Sequence, residues 1–199
     1  MTLIDTKQMD AQMEKKLKRG FKKFNRFMLL IWRLGLGKWL NAWPSVGGRI
    51  MVITHTGRKS GRRRKTPVNY TIVNGEIYCL AGFGANADWY QNIIANPQVE
   101  VWLPESWWAG LAEESLDSEN RMLLMREVIK ASGVVGPLMG VDINRMTDEE
   151  LDRVTRNYRL IRIRRTTART GPGGPGDLSW VWPLSTCILL FMLILRRRR

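Results

Sequence analysis

The chain has 199 residues, 44% of them hydrophobic and 25% charged, a composition that excludes wholesale disorder and suits one domain with appendages better than two. Its formal net charge of +14, from 32 Lys and Arg against 18 Asp and Glu, points to phosphates, anionic lipids or polyanions as partners. The single histidine and the two distant cysteines, Cys79 and Cys187, supply too few groups for a metal cluster or a Ser/His/Asp triad, and they fit reduced thiols in a cytoplasmic protein.

Between residues 10 and 43 the apolar residues Phe21, Phe24, Met28, Ile31, Trp32, Trp39 and Leu40 recur at helical spacing, while Lys15, Lys16, Arg19, Lys22, Lys23 and Arg26 crowd the first half. This is a basic amphipathic helix region, 1–44. It either lies in the headgroup layer of an anionic membrane or packs on the domain with solvated lysines. No apolar stretch with a cleavage site opens the chain, so a cleavable secretory signal is not expected.

After Pro44 the pattern changes to short β-type runs, expected over residues 49–56, 66–73, 76–80, 99–103 and 107–112. Asn74-Gly75 reads as a type I′ hairpin turn, since both positions must tolerate positive φ. Helices are expected over 88–95, closed by Asn96-Pro97, and over 118–131. A third starts at Thr147, where Glu150 completes a capping box before Leu151. Leu138, Met139, Val141 and Ile143 form an apolar lid or simply core. A last strand covers 158–163. The result is a mainly β domain over 45–166, a small barrel with flanking helices.

A Gly/Pro linker, 167–179, looks too poor in side chains to pack. The apolar run 180–195 and four terminal arginines follow. This tail reads as a membrane-associated or transmembrane helix although it is shorter than the ~20 residues that span comfortably, with a soluble core helix as the other reading. Basic residues on both sides leave its orientation open. The barrel is expected on the cytoplasmic side, and a C-terminal sorting tail is the alternative.

The densest chemistry lies in Thr56-Gly57-Arg58-Lys59-Ser60-Gly61, with Arg64 and Thr66-Pro67 beyond it. Backbone N–H groups, a hydroxyl and fork-shaped guanidinium groups suit a phosphate, though a basic hairpin loop is also often only solvated. The spacing is not that of a Walker loop. Gly82-Phe83-Gly84 lacks the third glycine of a dinucleotide fingerprint but offers a flexible turn before Asp88-Trp89-Tyr90.

These segments, with Asn92, Ala95-Asn96-Pro97 and Val99-Glu100-Val101 in the same order, resemble the nitroreductase family of deazaflavin-dependent oxidoreductases. The resemblance implies a split β-barrel of the flavin-reductase or FMN-binding kind. It also implies coenzyme F-420, an 8-hydroxy-5-deazaflavin, as cofactor, with FMN second. A hydride would pass to a small electrophilic acceptor such as a nitroaromatic or a quinone. Carried over by position, Arg58, Lys59, Ser60 and Arg64 would bind the phosphate and acidic tail, and Thr66 and Pro67 would begin the strand under the cofactor. Ala81, Gly82, Phe83 and Gly84 would give backbone contacts to the ring. Trp89 would flank it, or else support the pocket with Tyr90 and Asn92.

Two departures limit the carry-over. Ala87-Asp88 stands where many relatives have His-Pro, and a tyrosine-rich substrate helix has no counterpart in 133–156. No catalytic side chain is assigned, because hydride transfer asks the protein mainly for orientation and electrostatics. His55 could protonate a product or sit in a strand with its hydrogen bonds satisfied. A non-catalytic membrane-surface protein that carries a flavin-like or lipid ligand is the second reading. A nucleic-acid binder is not expected, and homodimerisation stays open.

Overall fold

The computed structural model describes residues 20, 23–115, 120–138 and 140–197; the first basic residues of the N-terminal region and Met139 lie outside them. Six strands form the body: β1 (Ile50–Thr56), β2 (Arg63–Val73), β3 (Glu76–Ala81), β4 (Gln98–Leu103), β5 (Ser106–Glu114) and β6 (Arg159–Ala168). They close into an antiparallel barrel in the order β1, β2, β3, β6, β5, β4, with β4 pairing back on β1. The helices are α1 (23–33), α2 (Gly37–Leu40), α3 (Pro44–Gly47), α4 (Asp88–Ala95), α5 (Arg121–Lys130), α6 (Val135–Leu138), α7 (Asp148–Thr155) and α8 (Val181–Arg197).

Strand alternation sends Met51, Ile53, Ile77, Cys79, Val101 and Ile163 into the barrel interior. Val52 and Trp102 point the other way, yet they are buried too, because Trp32 of α1 packs over them with its ring 6.4 Å from that of Trp102. That double burial accounts for the four successive apolar residues, Ile50, Met51, Val52 and Ile53, that open β1. Burying each indole contributes on the order of 2 to 3 kcal/mol. Met28 is buried as well, so α1 is packed on the barrel, while Phe24, Phe27 and Leu30 remain exposed.

On another outer face, Leu124 and Val128 of α5 cover Tyr78 and Leu160. Ile129, Val141 and Leu151 join α5 to α7, so Val141 is core, with Ile143 packed at its margin. The capping box at Thr147 and Glu150 is formed, and Arg126 ties α5 to Asp148 at 2.7 Å. Asn74 and Gly75 have φ of 51° and 81°, the turn that links β2 to β3.

Strand ends differ from the sequence reading where charge hides them. β2 begins at Arg63 because Arg63 and Arg64 pair with Thr56 and His55, and β6 runs on to Ala168 opposite the long β5. Basic side chains do not break a strand whose outer face is in water.

The Gly/Pro segment does pack, contrary to expectation. Gly176 donates its N–H to the Trp32 carbonyl at 3.0 Å, Leu178 to that of Arg33 at 2.8 Å, and Asp177 pairs with Arg33 at 2.9 Å. Gly174 is buried with its backbone so near Trp107 that a Cβ would come within 2.6 Å of the ring. Lack of side chains is what allows this approach. The tail forms α8, tethered by the Trp182 indole donating to the Leu34 carbonyl at 2.9 Å. Its 17 residues reach about 25 Å. Among the described residues no helix is long and apolar enough to cross a membrane, which corrects the transmembrane reading.

Candidate functional site

In an antiparallel pair, residues directly opposite project to the same side. His55 on β1 faces Arg64 on β2, and Ile53 faces Thr66. His55, Arg64 and Thr66 therefore share one face at the mouth of the barrel. Beside them opens a cleft of about 660 Å³, walled by β2, by the turn Gly82–Phe83, by Asp88, Trp89 and Asn92 of α4, and by Val128 and Ile129 of α5. It is apolar along α5 and basic toward β2.

The structure brings Arg64, Thr66, Pro67, Gly82, Phe83 and Trp89 together on this cleft. It does not bring the other anticipated residues to the wall. Arg58 is turned to α4, where its backbone N–H and Nη1 both donate to Asn92 Oδ1 at 3.0 Å, and Nη1 meets Asp88 at 3.3 Å. Lys59 and Ser60 stand exposed on the loop, with Ser60 Oγ accepting from the Arg62 N–H at 3.4 Å. Ala81 is core. Gly84 sits at φ +60° under the chain at Asn157, where a Cβ would lie 2.3 Å from the carbonyl oxygen.

Tyr90 is structural: it is buried, and its hydroxyl donates to Glu114 at 2.6 Å. Both nitrogens of His55 are engaged, Nε2 with Thr66 Oγ1 at 3.1 Å and Nδ1 with the Asn92 amide at 3.2 Å. Burial and then the charge of Arg64 push its pKa down to about 4, with Asp88 opposing, so the ring is neutral near pH 7 and holds no spare proton. On the outer face Glu100 is nearly buried and gathers Arg63, Arg169 at 3.2 Å and the Trp107 indole at 3.2 Å, which anchors the basic strand. Arg63 is thus neutralised, while Arg64 has no ion-pair partner among the described residues.

Sequence reasoning missed Phe24 and Asn25 of α1, Asn69, Val128, Ile129 and Tyr158 as cleft residues. The apolar spacing of α5 was visible, but periodicity says which face is apolar and not what lies opposite.

A small closed barrel bearing an apolar cleft with a basic rim is the geometry of a ligand-binding protein. The chain belongs to the F420H(2)-dependent quinone reductase family, whose model matches residues 33–136. It is an oxidoreductase built on a closed six-stranded antiparallel barrel, and its cofactor is coenzyme F-420.

Similar solved structures include an F420-H2 dependent reductase, 23% identical over 58% of this chain and 94% of that one, with a TM-score of 0.43. A conserved hypothetical protein from Mycobacterium tuberculosis is 18% identical over 67% and 80% of the two chains, at 0.46. A third, solved as a domain-swapped dimer, is 24% identical over 58% and 80%, at 0.43.

The residues present fit that coenzyme. A Cβ built on Gly82 meets nothing within 4 Å, so the backbone there lies open to the cleft. Arg64 offers at the rim a guanidinium with no ion-pair partner among the described residues, and Val128 and Ile129 offer an apolar wall.

Proposed function

We propose that this chain passes a hydride from the deazaflavin to a small electrophilic acceptor, with quinones and nitroaromatics as the candidate class. The observation that carries the reading is the meeting, on one apolar cleft, of an Arg64 without an ion-pair partner among the described residues and an open Gly82 backbone. Arg64 would hold the coenzyme's phosphate, with Lys59 and Ser60 able to reach its acidic tail from the loop. Thr66, Pro67, Gly82 and Phe83 would line the ring, and Trp89 would flank it. Arg58 is assigned instead to orienting Asn92.

Bound in its reduced form, the deazaflavin supplies the hydride. The chain's own groups bind and orient, and the apolar wall of α5 keeps water from the acceptor's side of the cleft. The test is a fluorescence titration with the coenzyme, followed by an acceptor screen that includes menaquinone and a nitroaromatic. Arg64→Glu should weaken binding by about tenfold to a hundredfold, the scale of a lost charge-assisted hydrogen bond. Unchanged affinity would refute the cleft assignment. Bound coenzyme with no hydride transfer to any acceptor would favour the non-catalytic carrier.

We also propose that the protein rests on an anionic membrane surface, with its barrel on the cytoplasmic side. Every face of α8 is apolar and exposed from Ile188 to Leu195, no acidic residue lies in its first turn, and Arg196 and Arg197 end it. A helix apolar all round needs a non-aqueous neighbour, and arginine at its end suits lipid phosphate. The two free thiols support the reducing side. Sedimentation with phosphatidylglycerol vesicles should carry down the full chain and not a form ending at residue 179. Equal behaviour of the two would refute α8 as the contact.

A further inference from the structure

Asn92 and His55 are both buried between β1 and α4, at 3% exposure each. Two donors from Arg58, the backbone N–H and Nη1, converge on one atom of the Asn92 amide at 3.0 Å, which identifies that atom as the oxygen. The amide nitrogen therefore faces His55 Nδ1, 3.2 Å away, and donates to it. Nδ1 must then carry a lone pair. A neutral imidazole with a bare Nδ1 has its hydrogen on Nε2, which lies 3.1 Å from Thr66 Oγ1. Thr66 is the acceptor in that contact. Its own hydroxyl hydrogen finds no acceptor among the described residues, and the side chain lines the cleft.

We infer that Arg58, Asn92 and His55 form a one-way hydrogen-bond relay in which His55 is a positioning residue, held as the Nε2–H tautomer, that commits the Thr66 hydroxyl to donate into the cleft. The cleft at this point thus selects a ligand atom that accepts: a ring carbonyl oxygen or a deprotonated ring nitrogen. A protonated ring position is disfavoured there, because it could use only the second lone pair of Thr66 Oγ1 and would leave the hydroxyl hydrogen without an acceptor. This rests on the reading of the cleft as the deazaflavin site. The polarity of the relay follows from the protein alone.

Because His55 is the only histidine, one imidazole spin system reports the relay. Nitrogen-15 NMR of the full chain without ligand should give the Nε2–H pattern near neutral pH. An Nδ1–H pattern or an imidazolium would overturn the relay. Coenzyme F-420 should then shift the His55 Nε2–H proton in wild type and Thr66→Ser but not in Thr66→Val. Thr66→Val should bind about tenfold more weakly in the same titration, with Thr66→Ser restoring wild-type affinity. Equal affinity and equal shifts in all three proteins would overturn the donor role. Failure of the wild type to bind the coenzyme would sink the cleft assignment, while the ligand-free spectrum would still decide the relay.

Discussion

Lowering the pH should charge His55 only at the expense of the fold. The unfolded chain protonates its histidine near pH 6.5, whereas the folded ring, buried and facing Arg64, does so near 4. Between those values the unfolded state binds more protons. Stability is then full above the upper value and falls as pH drops through the window. The complete loss is about 3 kcal/mol, and about 2 kcal/mol of it should appear between about pH 7 and pH 5. Carboxylates also titrate at the acid end, so the measurement is a difference. Urea unfolding of wild type and His55→Gln at both pH values isolates the histidine, since every other group is common. The wild type should lose about 2 kcal/mol more than the variant across the interval. Equal losses would refute the burial argument.

Gly84→Ala should destabilise the fold by about 2 kcal/mol or more, because its φ is +60° and the new Cβ would lie 2.3 Å from the Asn157 carbonyl; calorimetry reads this as a lowered Tm. Trp102→Ala removes a fully buried ring from under Trp32 and should cost about 3 to 5 kcal/mol in urea titrations. Thr147→Ala breaks the capping box of α7 and should cost about 1 kcal/mol, measured the same way.

Local rules accounted for much of the barrel. Asn74-Gly75, the Thr147 capping box and the Asn96-Pro97 stop each depend on a few neighbouring residues, and the chain forms all three. What the sequence concealed was long-range. Nothing in the spacing around Arg58 tells that it turns from solvent to Asn92, 34 positions on. Nothing in Lys65 tells that its ammonium lies 4.1 Å from the Trp102 ring centre, or that its carbonyl partner is Gly173. The Gly/Pro segment misled for a related reason: composition registers the side chains it lacks, whereas its attachment to α1 uses main-chain groups and Asp177. In the cleft, the arginine that reaches the wall is Arg64, inside β2, rather than one at the tip of the loop that looks most like a phosphate grip.

The circular pairing from β1 around to β4 and back has a consequence for self-association. A strand ribbon with a bare flank can recruit a neighbour's backbone, and such a flank is the usual seed of fibrils and stacked sheets. Here each of the six strands is bonded on both sides along part of its length, while residues 63–69 of β2 pair with β1 alone and residues 164–168 of β6 with β5 alone. Those stretches carry Arg63, Arg64, Lys65, Arg164 and Arg165, and like charges facing one another oppose pairing between copies along such an edge.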